Sequence, residues 1–198
     1  MELLRFFEAH RTPVFDSIMS LLTLLGEENA LIALGLVILW CVNKKWGFRL
    51  FFMGLLGSGL NQLLKAIFLI PRPWVLDPEF TIVESSREAA SGYSFPSGHT
   101  QSAFMLFGTL SLWLKKRFIY IGGAVLILLV GVSRLYLGVH TPLDVGVSLL
   151  TGLVLLLLAA PLYKKADSSQ NTEFIILCAG ALFCVITLLY VLLHLLLP

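Results

Sequence analysis

Charged residues are scarce in this chain. Only 13% of its 198 residues are Asp, Glu, Lys or Arg, whereas 58% are hydrophobic. A water-soluble domain of this length could not cover its surface with so few charges. The scarcity excludes that class of protein, predicts an integral membrane protein, and makes the position of each charge informative.

Cysteine and clustered basic residues are also few. The cysteines are three, an odd number, and lie in apolar runs without the close pairing or nearby histidines that a zinc site needs. We interpret Cys41, Cys178 and Cys184 as small hydrophobic residues. The net charge is only +2, and no basic stretch is interleaved with aromatic residues, so we expect no nucleic-acid partner.

Long apolar runs, in contrast, are abundant. A helix needs ~20 residues to cross a bilayer, and six runs come near this length. They cover residues 28 to 43, 47 to 68, 98 to 114, 118 to 139, 143 to 163 and 173 to 197. The pattern predicts an all-α integral membrane bundle of about six transmembrane helices, in one domain over residues 1 to 198. It leaves the oligomeric state open.

Residues 1 to 26 have a different, amphipathic pattern. Hydrophobic and charged residues alternate at the start, Thr12-Pro13 interrupts the segment, and the run from Val14 to Leu25 is too short to span comfortably. Two amphipathic helices in the membrane interface fit best, and an incomplete seventh span is the alternative. His10 and His194 have no motif around them and are interpreted as interfacial side chains.

Basic residues concentrate on one side of the predicted bundle. They follow the first, third and fifth spans, as Lys44, Lys45, Lys115, Lys116, Arg117, Lys164 and Lys165. By the positive-inside rule this side faces the cytoplasm, so the other side and both termini face outward. The outward cations Lys65, Arg72 and Arg134 then need another explanation, and anion binding is the simplest.

The first polar cluster contains Lys65 and Arg72, about two helical turns apart, so that both can face one pocket. Pro71 and Pro73 bracket the arginine and are expected to end the helix there. An alternative is that Lys65 extends to the lipid headgroups and that Arg72 only lies in the interface.

The second cluster is Pro96-Ser97-Gly98-His99, immediately before the third span. Ser97 is placed to cap the helix, whose first backbone N–H groups form an anion site. Gly98 lets the backbone approach a phosphate oxygen, and His99 is within reach of the same anion. The tetrapeptide also fits an ordinary turn, and His99 alone fits an interfacial side chain.

The third cluster is Ser133-Arg134, followed by His140 and Asp144. Asp144 comes four residues after His140, so its carboxylate can accept from one ring nitrogen and leave the lone pair of the other for a substrate. This spacing predicts a histidine nucleophile and its orienting acid. Asp144 also fits a helix-capping pattern with Thr141 and Pro142, and the two roles are compatible.

In this order and at these spacings, the clusters resemble the signature of the type 2 phosphatidic acid phosphatase superfamily. The resemblance covers residues 65 to 144 and includes Lys65, Arg72, Pro73, Pro96 to His99, Ser133, Arg134, His140 and Asp144. It implies a helical membrane bundle and a metal-independent phosphomonoesterase or pyrophosphatase. It also implies a phosphohistidine on His140, and leaving-group protonation by His99. The phosphoryl group would be held by Lys65, Arg72, Ser97, Gly98 and Arg134.

These features predict an outward-facing lipid phosphatase in a bacterial plasma membrane. Candidate substrates are undecaprenyl pyrophosphate, phosphatidylglycerophosphate and phosphatidic acid, and an outer-face site favours recycling of a cell-wall carrier lipid. No cofactor or metal is expected, because Asp144 is the only evident carboxylate and is committed to His140.

Other functions share parts of this pattern. A lipid A phosphatase or a lipid phosphotransferase would use the same site with a different headgroup pocket or acceptor. A non-catalytic lipid-binding protein would need only the cations, so the set of His99, His140 and Asp144 argues against it. Vanadate-dependent haloperoxidases share the signature, but their soluble helical domain does not fit six apolar runs.

Overall fold

The computed structural model describes residues 1–196, with the side chains of residues 170 and 194–196 left aside. The protein is all-helical, and no residue in the described range lies in a β-strand. The helices are α1 (Glu2–Ala9), α2 (Pro13–Leu24), α3 (Glu28–Val37), α4 (Lys44–Phe68), α5 (Pro73–Leu76), α6 (Gly98–Leu114), α7 (Arg117–Tyr136), α8 (Pro142–Ala166) and α9 (Gln170–Leu196). A π-helical turn, Ile38–Val42, continues α3.

Each predicted span contains a helix, but the count of six is not confirmed. Four segments are long and apolar enough to cross a bilayer, and a fifth is added if α2 and α3, bent by 49°, form one broken span. The four are Lys44–Leu76, Arg117–Tyr136, Pro142–Ala166 and Asn171–Leu193. The difference arises because α3 has 10 residues and α6 has 17. The last residue of the predicted span 173 to 197 and the side chain of His194 lie outside the described residues.

The N-terminal segment forms two helices, separated where Thr12-Pro13 predicts a break. Thr12 caps α2 by accepting a hydrogen bond from the backbone N–H of Phe15, and Pro13 takes the first helical position. Both helices pack on α7. Their position relative to the membrane interface stays a prediction, and the bent pair of α2 and α3 agrees in length and composition with the alternative of a further, broken span.

The core of the bundle is centred on α6, which packs against α4, α7 and α8. Small residues allow these helices to approach closely. A Cβ atom on Gly57 of α4 would lie 2.5 Å from Met105 Cγ, and one on Gly152 of α8 would lie 2.5 Å from Phe104 Cγ. Both glycines therefore contribute to the helix spacing around α6.

The basic residues of the links lie at the end of the bundle that contains the buried Arg49. Arg49 is 3% exposed, donates to Asp167 Oδ1 over 2.9 Å, and forms an ion pair with Glu173 over 3.3 Å. Its guanidinium lies 4.9 Å from the ring centre of Trp46, which stacks on Trp113. These contacts join α4, α6, α8 and α9 at this end, and the polar clusters lie at the opposite ends of the same helices.

Candidate active site

The predicted site residues converge because they occupy neighbouring ends of four antiparallel helices. Lys65 lies in the last turn of α4, Ser97 caps the start of α6, Arg134 lies in the last turn of α7, and Asp144 lies in the first turn of α8. Arg72 precedes α5, Gly98 and His99 begin α6, and His140 lies in the link between α7 and α8. The topology thus brings all of the predicted residues to one end of the bundle.

His140 and Asp144 form a buried pair, each 1% exposed. Nδ1 of His140 lies 3.4 Å from Asp144 Oδ2, within ion-pair distance, and makes no hydrogen bond with a described residue. Because Nδ1 faces the negatively charged carboxylate, the ring proton is favoured on Nδ1. The lone pair is then on Nε2. Burial lowers the pKa of His140 well below its usual value, and the charges of Arg72 and Arg134 lower it further against the opposing effect of Asp144. The lowered pKa favours the neutral form of the imidazole.

Asp144 is held by neighbours other than His140. Its Oδ2 accepts a hydrogen bond from Ser94 Oγ over 2.5 Å and from the backbone N–H of Thr141 over 2.7 Å. Thr141 in turn caps α8, so that Thr141 and Asp144 form a capping box. The capping pattern predicted from the sequence is present, and it coexists with the contact to His140.

Arg72 contacts the other ring nitrogen of His140. Its Nη1 lies 3.0 Å from His140 Nε2 and also donates to the carbonyl of Val139 over 2.9 Å. Nε and Nη2 donate to the carbonyls of Gly92 and Ser91 over 3.0 and 2.9 Å. Arg72 therefore anchors the loop at residues 91 and 92 and donates a hydrogen bond to the Nε2 lone pair of His140.

The start of α6 is fixed rigidly to the start of α8. Ser97 is 0% exposed, and its Oγ accepts from the backbone N–H of Thr100 over 3.4 Å, which is the helix cap predicted from the sequence, and from Thr100 Oγ1 over 2.9 Å. The Ser97 N–H donates to the carbonyl of Asp144 over 3.2 Å, while Ser148 Oγ donates to the Ser97 carbonyl over 2.8 Å. The N-terminus of α6, with Gly98, is thereby held next to the pair of His140 and Asp144.

Two further cations and the second histidine complete the arrangement. Lys65 Nζ donates to the carbonyl of Tyr93 over 2.9 Å. Arg134 is 0% exposed and donates from Nη1 to Thr23 Oγ1 over 2.7 Å. Within the described part of the chain, Arg134 Nε and Nη2 and His99 Nε2 are buried without a hydrogen-bond partner. Buried polar nitrogens of this kind are costly unless a ligand or another group pairs with them.

A cavity of about 820 Å³ opens beside Lys65 and His99. Lys65, Gly98 and His99 contribute to its wall, together with Glu28 and Ser58 from α3 and α4. Its volume is within the range of ligand pockets. No group of three or more His, Cys, Asp or Glu side chains that could hold a metal ion occurs among the described residues. The absence of a metal from the reaction stays a prediction.

Sequence reasoning did not find four residues that support the site. Ser94 binds Asp144, Thr23 binds Arg134, Ser148 joins the starts of α6 and α8, and Asn61 Nδ2 donates to the Pro96 carbonyl over 3.3 Å. Ser148 follows Asp144 by one helical turn, and this spacing could have indicated it. No local pattern marks Ser94 or Thr23, because their partners are distant in the sequence.

Residues 46–168 match the PAP2 superfamily. The chain belongs to this superfamily. It is 29% identical over 153 residues to undecaprenyl-diphosphatase BcrC of Bacillus subtilis, covering 74% of each protein. The fold is similar to that of Aquifex aeolicus LpxE, with a TM-score of 0.68, 30% identity, and coverage of 79% of this chain and 92% of that one. It also resembles a transmembrane PAP2 type phosphatidylglycerolphosphate phosphatase of Bacillus subtilis, with a TM-score of 0.68, 27% identity, and coverage of 83% and 84%.

Family membership confirms the resemblance inferred from the three clusters. The protein is a multi-pass membrane enzyme of the PAP2 superfamily and a lipid phosphatase. The residues of the signature lie inside the matched range, whereas α1, α2 and α3 precede it.

Proposed function

We propose that the protein hydrolyses a phosphomonoester or pyrophosphate lipid through a phosphohistidine on His140, without a metal ion. The observation that carries the proposal is the geometry of His140, with Nδ1 facing the Asp144 carboxylate and Nε2 beside Arg72. A neutral imidazole held in this tautomer has the lone pair that a nucleophile needs. A protein that only bound an anion would not need it.

In the first step, Nε2 of His140 attacks the phosphorus atom and the bond from phosphorus to the leaving oxygen breaks. His99 lines the cavity, and its Nε2 lacks a hydrogen-bond partner among the described residues. The negative charge of the bound phosphate favours protonation of His99, which gives its proton to that oxygen. Arg72 donates to the phosphoryl oxygens as the lone pair of His140 is used. Asp144 stabilises the positive charge that develops on the imidazole ring.

In the second step, water replaces the leaving group and attacks the phosphohistidine. His99 takes the proton of this water, the bond from phosphorus to His140 Nε2 breaks, and phosphate is released. The phosphoryl oxygens are held throughout by Lys65, Arg72, Arg134, Ser97 and the N-terminus of α6 at Gly98. Ser97 Oγ accepts from Thr100, which leaves its own O–H to donate to the phosphoryl group beside the backbone N–H groups of the helix start.

We further propose that the site faces the outside of a bacterial plasma membrane. The basic residues of the links are at the end of the bundle opposite the site, and basic links favour the cytoplasmic side. Undecaprenyl pyrophosphate, phosphatidylglycerophosphate and phosphatidic acid are the proposed substrates. The names of the relatives in Bacillus subtilis support the first two.

Phosphate release by the purified enzyme in detergent tests the chemistry. The panel contains the three lipid phosphates and one soluble phosphate ester, all assayed with EDTA present. The His140→Ala variant should lose turnover completely, and His10→Ala, which alters an exposed histidine outside the site, should retain it. Phosphate release by His140→Ala at the wild-type rate would refute the mechanism.

Thiol labelling in intact cells tests the orientation. In a background without Cys41, Cys178 and Cys184, a cysteine at the exposed Glu88 should react with a membrane-impermeant reagent. A cysteine at the exposed Ser168, at the other end of the bundle, should react only after the cells are opened. The reverse pattern would invert the orientation and exclude an outer-face substrate pool.

A further inference from the structure

The junction of α2 and α3 forms part of the wall of the site, although it precedes the range that matches the family. Thr23, in the last turn of α2, is 7% exposed and accepts a hydrogen bond from Arg134 Nη1 over 2.7 Å. A Cβ atom on Gly26 would lie 2.6 Å from the backbone carbonyl oxygen of His99. The junction thus touches the helix end that bears Arg134 and the helix start that bears His99.

The contact with Thr23 determines which donors of Arg134 remain for a ligand. A guanidinium carries its five N–H groups in one plane, and two neighbouring nitrogens present parallel donors to two oxygens of a phosphate. Thr23 pairs with Nη1, whereas Nε and Nη2, which share the opposite edge, are buried with no hydrogen-bond partner among the described residues. That edge is therefore the one available to bind an anion in a bidentate manner.

We propose that Thr23 is a positioning residue for Arg134, which fixes the plane of the guanidinium so that its Nε and Nη2 edge faces the phosphoryl group. The inference rests on the proposed function, in which Arg134 holds the phosphoryl oxygens. It adds a residue of the N-terminal segment to the machinery. Without the Thr23 hydroxyl, Arg134 Nη1 would have no hydrogen-bond partner from the N-terminal segment. That hydrogen bond would then no longer restrict rotation of the Arg134 side chain.

Three variants separate the hydroxyl from the shape of the side chain. Thr23→Val keeps the shape and removes the hydroxyl, and Thr23→Ser keeps the hydroxyl. Thr109→Val is the matched control, because Thr109 is 1% exposed, its hydroxyl has no partner among the described residues, and it lies about three turns into α6. Each variant is purified in detergent and checked for an unchanged elution volume and melting temperature.

The measurement is the dissociation constant of orthovanadate by isothermal titration, with kcat and KM for phosphate release. Loss of a hydrogen bond to a charged group predicts about tenfold weaker vanadate binding by Thr23→Val and a similar fall in kcat, with a smaller change in KM. Thr23→Ser should stay within about twofold of wild type, as should Thr109→Val. If Thr23→Val does not fold, Thr23→Ala against Thr23→Ser gives the same comparison.

Equal vanadate affinity of wild type and Thr23→Val would overturn the proposal. Equal weakening in Thr23→Val and Thr23→Ser would overturn it too, because the hydroxyl would then not be the cause. An Arg134→Gln variant distinguishes this failure from failure of the proposed function. If Arg134→Gln binds vanadate and releases phosphate like wild type, the assignment of Arg134 fails, and if only the Thr23 variants are unchanged, the positioning role alone fails.

Discussion

Replacing Ser94 with alanine tests whether catalysis depends on the orientation of the Asp144 carboxylate. The variant keeps the carboxylate and removes a hydrogen bond that holds it. Ser94 is 0% exposed, and its hydroxyl makes the shortest of the contacts to Asp144 Oδ2, at 2.5 Å against 2.7 Å for the Thr141 N–H and 3.4 Å for His140 Nδ1. A hydrogen bond to a charged group contributes about 1.5 to 3 kcal/mol. Without it, the carboxylate keeps one backbone donor and its longer contact with His140, and its position is less restricted.

The expected loss in rate follows from this energy. About 1.4 kcal/mol corresponds to a tenfold change in rate, so Ser94→Ala should lower kcat roughly ten- to a hundredfold if the orientation of His140 depends on this contact. The assay is phosphate release at saturating substrate, well below the melting temperature of the variant. Ser85→Ala, which alters an exposed serine in the same loop, is the control. A folded Ser94→Ala enzyme with wild-type kcat would refute the reasoning.

Three further predictions concern protonation, metal dependence and stability. Because burial lowers the pKa of His140, its imidazole should stay neutral at pH 5.5 in ¹⁵N histidine spectra, and a midpoint near 6.5 in the folded enzyme would contradict this. Folding stability should fall below about pH 6.5, where the histidine of the unfolded chain binds a proton. Activity should survive EDTA and be inhibited by vanadate, whereas loss in EDTA that added Mg²⁺ reverses would show metal dependence. Arg49→Met should lower the unfolding free energy by about 2 kcal/mol, since Arg49 joins α4 to Asp167 and Glu173. It should not change kcat, because these contacts are far from the site, and a wild-type melting temperature would argue against the role of Arg49.

Many helix limits followed from the sequence because the signals that determine them are local. The predicted run 98 to 114 coincides with α6, since Ser97 caps its start. The predicted run 47 to 68 ends with α4 at Phe68, shortly before the Pro71-Arg72-Pro73 segment. The number of spans did not follow, because α3 and α6 are short and the bend between α2 and α3 depends on how both helices pack.

In the site, too, the contacts between residues close in the sequence were predictable and the others were not. The four-residue spacing of His140 and Asp144 was sufficient to predict their proximity, because both lie on one short stretch that opens α8. Family membership followed from the three clusters without knowledge of the fold. The roles of the individual residues remain predictions that the assays above will test.

The sequence by itself determined the membrane class, the helices, the polar clusters at their ends and the family, because hydropathy, capping and short spacings act over a few residues. Only the tertiary structure decided which neighbours orient those clusters. Ser94 is 50 residues from Asp144, and Thr23 is 111 residues from Arg134. Such contacts depend on how whole helices pack, and a hydroxyl far along the chain acquires its partner only when that packing is complete.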